Sequence, residues 1–142
     1  MDHIYYRELK NYKYQLMQDF EIQIDIQPQT DLVYPYFALH TNGLLFIKKA
    51  YAWDGPSGPS RDTPDFMRAS LVHDALYQLM QQKALDYKVH RKRADEILRE
   101  LCRQDGMSAF RAGYVYWVVR WFGEGYARPM DEFKVIVHRV PR

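Results

Sequence analysis

Trp53-Asp54-Gly55-Pro56-Ser57-Gly58-Pro59-Ser60, followed by Arg61-Asp62-Thr63-Pro64-Asp65-Phe66, divides the chain into two parts with different apolar periods. Two glycines and two prolines within the first eight of these residues end all regular spacing and predict a loop of fixed shape. On its N-terminal side apolar residues recur at every second position. Tyr12, Tyr14 and Leu16 share one side of a strand, and Phe20, Ile22, Ile24 and Ile26 alternate with Glu21, Gln23 and Asp25. A connection from Pro28 to Pro35 leads into Tyr36 to His40, and Thr41-Asn42-Gly43 then joins this run to Leu44 to Tyr51. Asn-Gly between apolar runs predicts a hairpin, because a tight turn needs positive φ at its centre.

On the C-terminal side the period changes to that of helices. Pro64, with Thr63 as N-cap, opens a helix in which Phe66, Ala69, Leu71 with Val72, Leu76 and Leu79 recur as far as about Gln82. Arg91 to Gln104 forms a second helix striped by Ala94, Ile97, Leu98, Leu101 and Cys102 and ended by Asp105-Gly106. Ser108 caps a third. Its stripe of Phe110, Gly113 with Tyr114, Trp117 with Val118, and Trp121 reads first as core, with an interfacial or docking patch as the alternative. Gly123 and Gly125 stop it, and Phe133 to Val140 predicts a last strand.

Strands first and helices afterwards make the fold class α+β. N-terminal antiparallel hairpins or a meander precede a three-helix region, two of whose helices run antiparallel. The expected organisation is one domain over residues 1–142, with a β-rich part at 1–52, the Gly/Pro loop at 53–63, a helical part at 64–125 and a tail at 126–142. With 142 residues, 47% of them hydrophobic, the chain is long enough for a core without disulfide or metal staples. Its one cysteine, Cys102, allows no intrachain bridge.

A formal charge of +2 gives no reason to expect a nucleic-acid partner. The basic run of Lys88, His90, Arg91, Lys92 and Arg93 and the terminal His138, Arg139 and Arg142 read as solvated surface, with an anionic lipid, phosphate or protein surface as the alternative. No apolar run approaches the roughly 20 residues of a transmembrane helix. Met1 to Lys10 lacks the apolar core of a signal peptide, so the expected location is the cytoplasm of the producing cell.

The residues with most chemical content are His73, Asp74 and Tyr77 on the first helix and Asp95 on the second. His73 and Tyr77 are four positions apart and share a helix face, while Asp74 lies about 100° round. If the two helices pack antiparallel, Asp95 reaches both. A carboxylate on one imidazole nitrogen fixes the tautomer and leaves the other nitrogen as a general base. The same four residues also suit a buried hydrogen-bond network with no catalytic role, and spacing alone does not choose between the two. A zinc site of His40, His73 and His90 lacks ligand spacing, and Ser57, Ser60 and Ser70 lack the setting of a serine nucleophile.

The His73-Asp74 pair followed by Tyr77 and Asp95, after a Gly/Pro loop, resembles the core of the phospholipase A2 superfamily, most closely its cysteine-poor form in parvovirus capsid proteins. The resemblance implies His73 as base, Asp95 as its orienting carboxylate and Tyr77 as a hydrogen-bond donor to Asp95. It implies calcium held by Asp74 and by the loop of Trp53, Gly55 and Ser57, with Asp54 as a further carboxylate, and no organic cofactor. The loop Asp54-Gly55-Pro56-Ser57-Gly58, and Ala69, Ser70 and Leu76 in place of cysteines beside the histidine, depart from the secreted enzymes.

A second resemblance extends from Tyr51 to Gly123. Asp54-Gly55-Pro56-Ser57, the His73-Asp74-Ala75-Leu76-Tyr77 run, Arg91 with Ala94-Asp95, and Gly106, Arg111, Tyr116, Val119 and Arg120 are similar to the bacterial and phage family called domain of unknown function 1353. It implies a phage or prophage origin without an activity. The functional expectation is a metal-dependent ester hydrolase of phage type acting on phospholipid. Two alternatives stand beside it: a virion or assembly protein that binds other phage structural proteins and keeps the cluster as a staple, and a lysis-associated hydrolase of the cell envelope.

Overall fold

The computed structural model describes residues 3–9, 14–53, 55 and 63–129. Asp54, Ser57, Tyr12 and the expected strand from Phe133 to Val140 lie outside them. Among the described residues seven short strands come first, β1 (Tyr6–Glu8), β2 (Tyr14–Leu16), β3 (Phe20–Gln23), β4 (Leu32–Val33), β5 (Phe37–Leu39), β6 (Leu44–Ile47) and β7 (Ala52–Trp53). Among the same residues four helices follow, α1 (Pro64–Gln81), α2 (Tyr87–Gln104), α3 (Ala109–Phe122) and α4 (Glu124–Ala127). The chain is an α+β fold with its antiparallel strands in two sheets, ordered β1-β2-β7 and β3-β6-β5-β4.

Register in the larger sheet follows the period-two pattern. Ile22 pairs with Leu45, Leu45 with Leu39, and Leu39 with Leu32, so one apolar row crosses all four strands. Phe20, Ile47 and Phe37 form a second row on the same face, and all three are buried. The Pro28 to Pro35 connection is thus not wholly irregular, because Leu32 and Val33 add an edge strand. The hairpin between β5 and β6 forms as expected, with a different turn: the Gly43 amide donates to the His40 carbonyl at 2.9 Å, and positive φ falls on Gly43 itself at +87° rather than on Asn42. This is a three-residue loop in which glycine takes the left-handed position at the strand junction. A side chain there would also collide with the Ile24 carbonyl.

An aromatic chain joins the two sheets. Tyr6 and Tyr14 meet edge-on at 5.4 Å, Tyr14 lies 5.7 Å from Trp53, Trp53 stacks on Tyr51 at 6.4 Å, and Tyr51 reaches Phe37 at 5.8 Å. The Trp53 indole N–H, buried with its ring, donates to Ser70 Oγ at 3.0 Å, which ties the last strand to α1.

Helix α1 is buried on most of its circumference, as the many apolar residues beside His73 require, and one apolar core runs from β2 to α4 around it. Thr63 holds the N-cap position, but its hydroxyl bonds to the Asp65 carboxylate and accepts from Arg111 at 2.9 Å instead of capping a backbone amide. Lys83, with φ +64°, ends the helix in the left-handed conformation. Helix α2 begins four residues before the expected Arg91, because Asp86 caps it by accepting from the Lys88 amide at 2.9 Å. Most of the basic run therefore lies in its first turns. Arg68 near the start of α1 forms a two-pronged bond to Asp105 at the end of α2, both at 3.0 Å, and this fixes the antiparallel pairing.

The expectation that the aromatic stripe of α3 is core is overturned. Ala112, Val115 and Tyr116 face inward, while Phe110, Tyr114, Trp117 and Trp121 are exposed. Arg111 and Arg120, nine residues apart and so on opposite flanks of the inner line, both reach in to carboxylates, Asp65 at 3.1 Å and Asp95 at 2.8 Å. These two ion pairs set the rotation of the helix and leave the aromatic line outside. Among the described residues no helix is long and apolar enough to cross a membrane.

Candidate active site

The antiparallel packing of α1 on α2 brings together three of the residues singled out in the sequence. His73 Nε2 lies 2.6 Å from Asp95 Oδ1, and the Tyr77 hydroxyl donates to the same oxygen at 2.6 Å. The His73 and Tyr77 rings lie against each other with centroids 4.1 Å apart, as their four-residue spacing predicts. Arg120 from α3 donates to Asp95 Oδ2 at 2.8 Å. Arg91, one turn before Asp95, donates to the Tyr77 oxygen at 3.2 Å and to the carbonyls of Val119 and Arg120, both at 2.7 Å.

Asp95 is wholly buried. Burial alone would raise its pKa, but the contacts with His73, Tyr77 and Arg120 outweigh this and hold the carboxyl below its ordinary value. The phenol of Tyr77 is displaced upward, first by burial and then by the Asp95 charge, so it stays a donor. An ionised Asp95 can only accept, which places the imidazole proton on Nε2 and a lone pair on Nδ1 when the ring is neutral. Among the described residues Nδ1 makes no hydrogen bond, and the His73 side chain keeps 13% of its surface exposed. The cluster can thus accept a proton at Nδ1 while holding the resulting positive charge against a fixed carboxylate.

Asp74 follows His73 on α1 and is half-buried. Ser70, which receives the Trp53 indole, lies one turn before Asp74 on the same face, so the end of β7 comes to within a turn of that carboxylate. Gly55 has φ +77°, and a side chain there would lie 2.4 Å from the Tyr14 ring. Only glycine permits this close approach. Among the described residues no three His, Cys, Asp or Glu side chains converge. A cation beside Asp74 would therefore draw on backbone oxygens of the Trp53 and Gly55 segment, the hard donor chemistry that calcium accepts. The four loop positions suggested by the sequence divide evenly: Trp53 and Gly55 are placed, and Asp54 and Ser57 lie outside the described residues.

The model of the family described as protein of unknown function (DUF1353) matches residues 40–119. The chain belongs to this family. Neither the curated proteins nor the solved structures gave a match. The DUF1353 span contains His73, Asp74, Tyr77, Arg91 and Asp95, and it ends one residue before Arg120.

Arg91 and Arg120 carry part of the resemblance read from the sequence, yet spacing alone assigned them no role. For Arg91 the signal was its four-residue spacing from Asp95. For Arg120 it was that it is one of two cations in a largely apolar helix, a position that calls for a buried partner. Burial, followed by the Asp65 and Asp105 charges, pushes the Cys102 thiol up to about 12, which removes it as a nucleophile at neutral pH. A groove of about 710 Å³ between β3 and α2, lined by Asp25, Arg68, Arg93 and Glu100 among others, includes none of the His73 cluster.

Proposed function

We propose that the chain is a metal-dependent hydrolase of the phospholipase A2 type, in which His73 activates water against a lipid ester. One observation carries the reading: His73 is bound at Nε2 by a buried, ionised carboxylate, while among the described residues Nδ1 makes no hydrogen bond and the side chain is not sealed. Nδ1 takes a proton from water as the water oxygen attacks the ester carbonyl, and Asp95 stabilises the imidazolium through Nε2–H. Nδ1 then returns the proton to the departing alcohol. The products are a fatty acid and a lysolipid. Tyr77 and Arg120 hold Asp95 in place. Asp74 and backbone carbonyls from Trp53 to Ser57 would hold calcium, which when bound supplies charge stabilisation for the ester oxyanion. The reading takes the protein as phage-encoded, working in the host cytoplasm or from a particle.

The test is fatty-acid release from mixed phospholipid vesicles, with calcium and with chelator, for wild type and His73→Ala at matched folding. Calcium-dependent release that falls at least about 1,000-fold in the variant supports the reading. Asp74→Asn should abolish the calcium dependence.

The saturation of Asp95 by three donors favours a second reading, a structural staple in a phage-particle protein. No release from any vesicle, together with a large fall in melting temperature for His73→Ala, would establish the staple. Release of soluble fragments from cell-envelope material but not from vesicles would instead point to a lysis enzyme.

A further inference from the structure

The outward face of α3 carries Phe110, Tyr114, Trp117 and Trp121 in one line, and Phe122 and, on α4, Tyr126 are exposed near its C-terminal end. Their exposures run from 48% for Tyr114 to 88% for Phe110. No charged residue interrupts the line, because both arginines of α3 are committed to Asp65 and Asp95. Large aromatics around a centre without charge are the composition of an interface core, and a monomer rarely presents so continuous an apolar patch to water.

We propose that this face docks a second copy of the chain through a two-fold interface. Three observations favour that occupant. A large aromatic side chain buries roughly 150–250 Å², so at these exposures the four in line offer on the order of 400–650 Å² per copy, and two copies about 1,000 Å² in all, the size at which a specific interface begins. Both arginines of α3 are engaged by carboxylates, and the Arg99 guanidinium bordering the helix lies over the Tyr116 ring at 5.5 Å, whereas helices that lie on membranes carry Lys or Arg directed at headgroups beside the apolar face. At the rim, Glu124 and Arg128 pair with each other at 2.8 Å, so two copies meet without like-charge repulsion. A two-fold contact sets the aromatic ridge against itself, with Trp117 and Trp121, 6.0 Å apart, as its anchors. The inference does not depend on hydrolysis.

Sedimentation equilibrium of the full chain across the micromolar range should give twice the 17.1 kDa chain mass. Trp117→Glu combined with Trp121→Glu should give the single-chain mass with an unchanged far-ultraviolet spectrum. Val33→Glu, at an equally exposed apolar position on β4, should remain a dimer. A wild type that is monomeric throughout overturns the proposal, as does a folded double variant that still dimerises. A monomeric wild type that pellets with phosphatidylcholine–phosphatidylglycerol vesicles, when the double variant does not, overturns it in favour of a lipid surface.

Discussion

Asp95 concentrates the chemistry of this protein in one side chain. It has no exposed surface, shares one oxygen between His73 and Tyr77, and gives the other to Arg120. Asp95→Asn preserves shape while removing the charge, so it leaves the Arg120 guanidinium facing a neutral amide and lets the imidazole adopt the wrong tautomer. On the proposed mechanism the rate of ester hydrolysis should fall by about 1,000- to 10,000-fold, as when the orienting carboxylate of a catalytic triad is neutralised. Denaturant unfolding should show a loss of roughly 3–5 kcal/mol, the usual result of breaking a buried pair. Activity equal to wild type would exclude the mechanism. At this scale the sequence was informative about His73 and Tyr77, since helical spacing fixes which side chains share a face, and it offered Asp95 as their partner only on the condition that the two helices pack antiparallel. It assigned no role to Arg120, whose partner lies on another helix.

At the scale of the element, α3 works from both sides. Its inner flank delivers Arg120 to Asp95, and its C-terminal end closes over Tyr77. A side chain at Gly123 would lie 2.9 Å from the Tyr77 hydroxyl oxygen and 2.5 Å from the Val119 carbonyl. Gly123→Ala should therefore displace Tyr77 from Asp95 and destabilise the fold by about 1–3 kcal/mol, the usual result of overpacking. Gly125→Ala is the control: nothing lies within 4 Å of its added carbon, so unfolding should show no loss, or a gain of up to about 1 kcal/mol from helix propensity. Equal losses in the two variants would show that Gly123 matters only as a helix end. Elements were legible where one local signal defined them. Asn42-Gly43 marked the hairpin and Pro64 the start of α1, but the start of α2 depended on Asp86 as a cap, and a lone aspartate before a charged segment is a weak signal.

For the whole molecule, the buried carboxylate links folding to pH. The folded-state pKa of Asp95 is lowered because the bonds from His73, Tyr77 and Arg120 outweigh burial, so between that value and the ordinary one the unfolded chain binds more protons. Its stabilising contribution is thus complete above about pH 4, the ordinary range of a carboxyl group, and is lost as pH falls through the folded-state value. Thermal unfolding should show a melting temperature that declines below about pH 4, with the decline reduced in the Asp95→Asn variant. An equal decline in both would assign the acid sensitivity to other carboxylates, among them Asp25, whose pKa is held down chiefly by its bond to Arg93.

The sequence by itself determined the α+β class, the change from strands to helices across Trp53 to Pro64, and the face shared by His73 and Tyr77. These depend on periods of two and 3.6 residues and on glycine and proline backbone limits, which act over a few neighbouring positions. Tertiary structure alone decided that Asp95 reaches both of them, that Arg91 and Arg120 complete the cluster, and that the aromatic line of α3 faces outward. The last shows the reason most clearly. Ala112, Val115 and Tyr116 on one side of α3 and the four aromatics on the other are both apolar, so hydrophobicity does not set its rotation. The partners of Arg111 and Arg120, Asp65 and Asp95, lie 46 and 25 residues away along the chain, and their positions became fixed only when the helices packed.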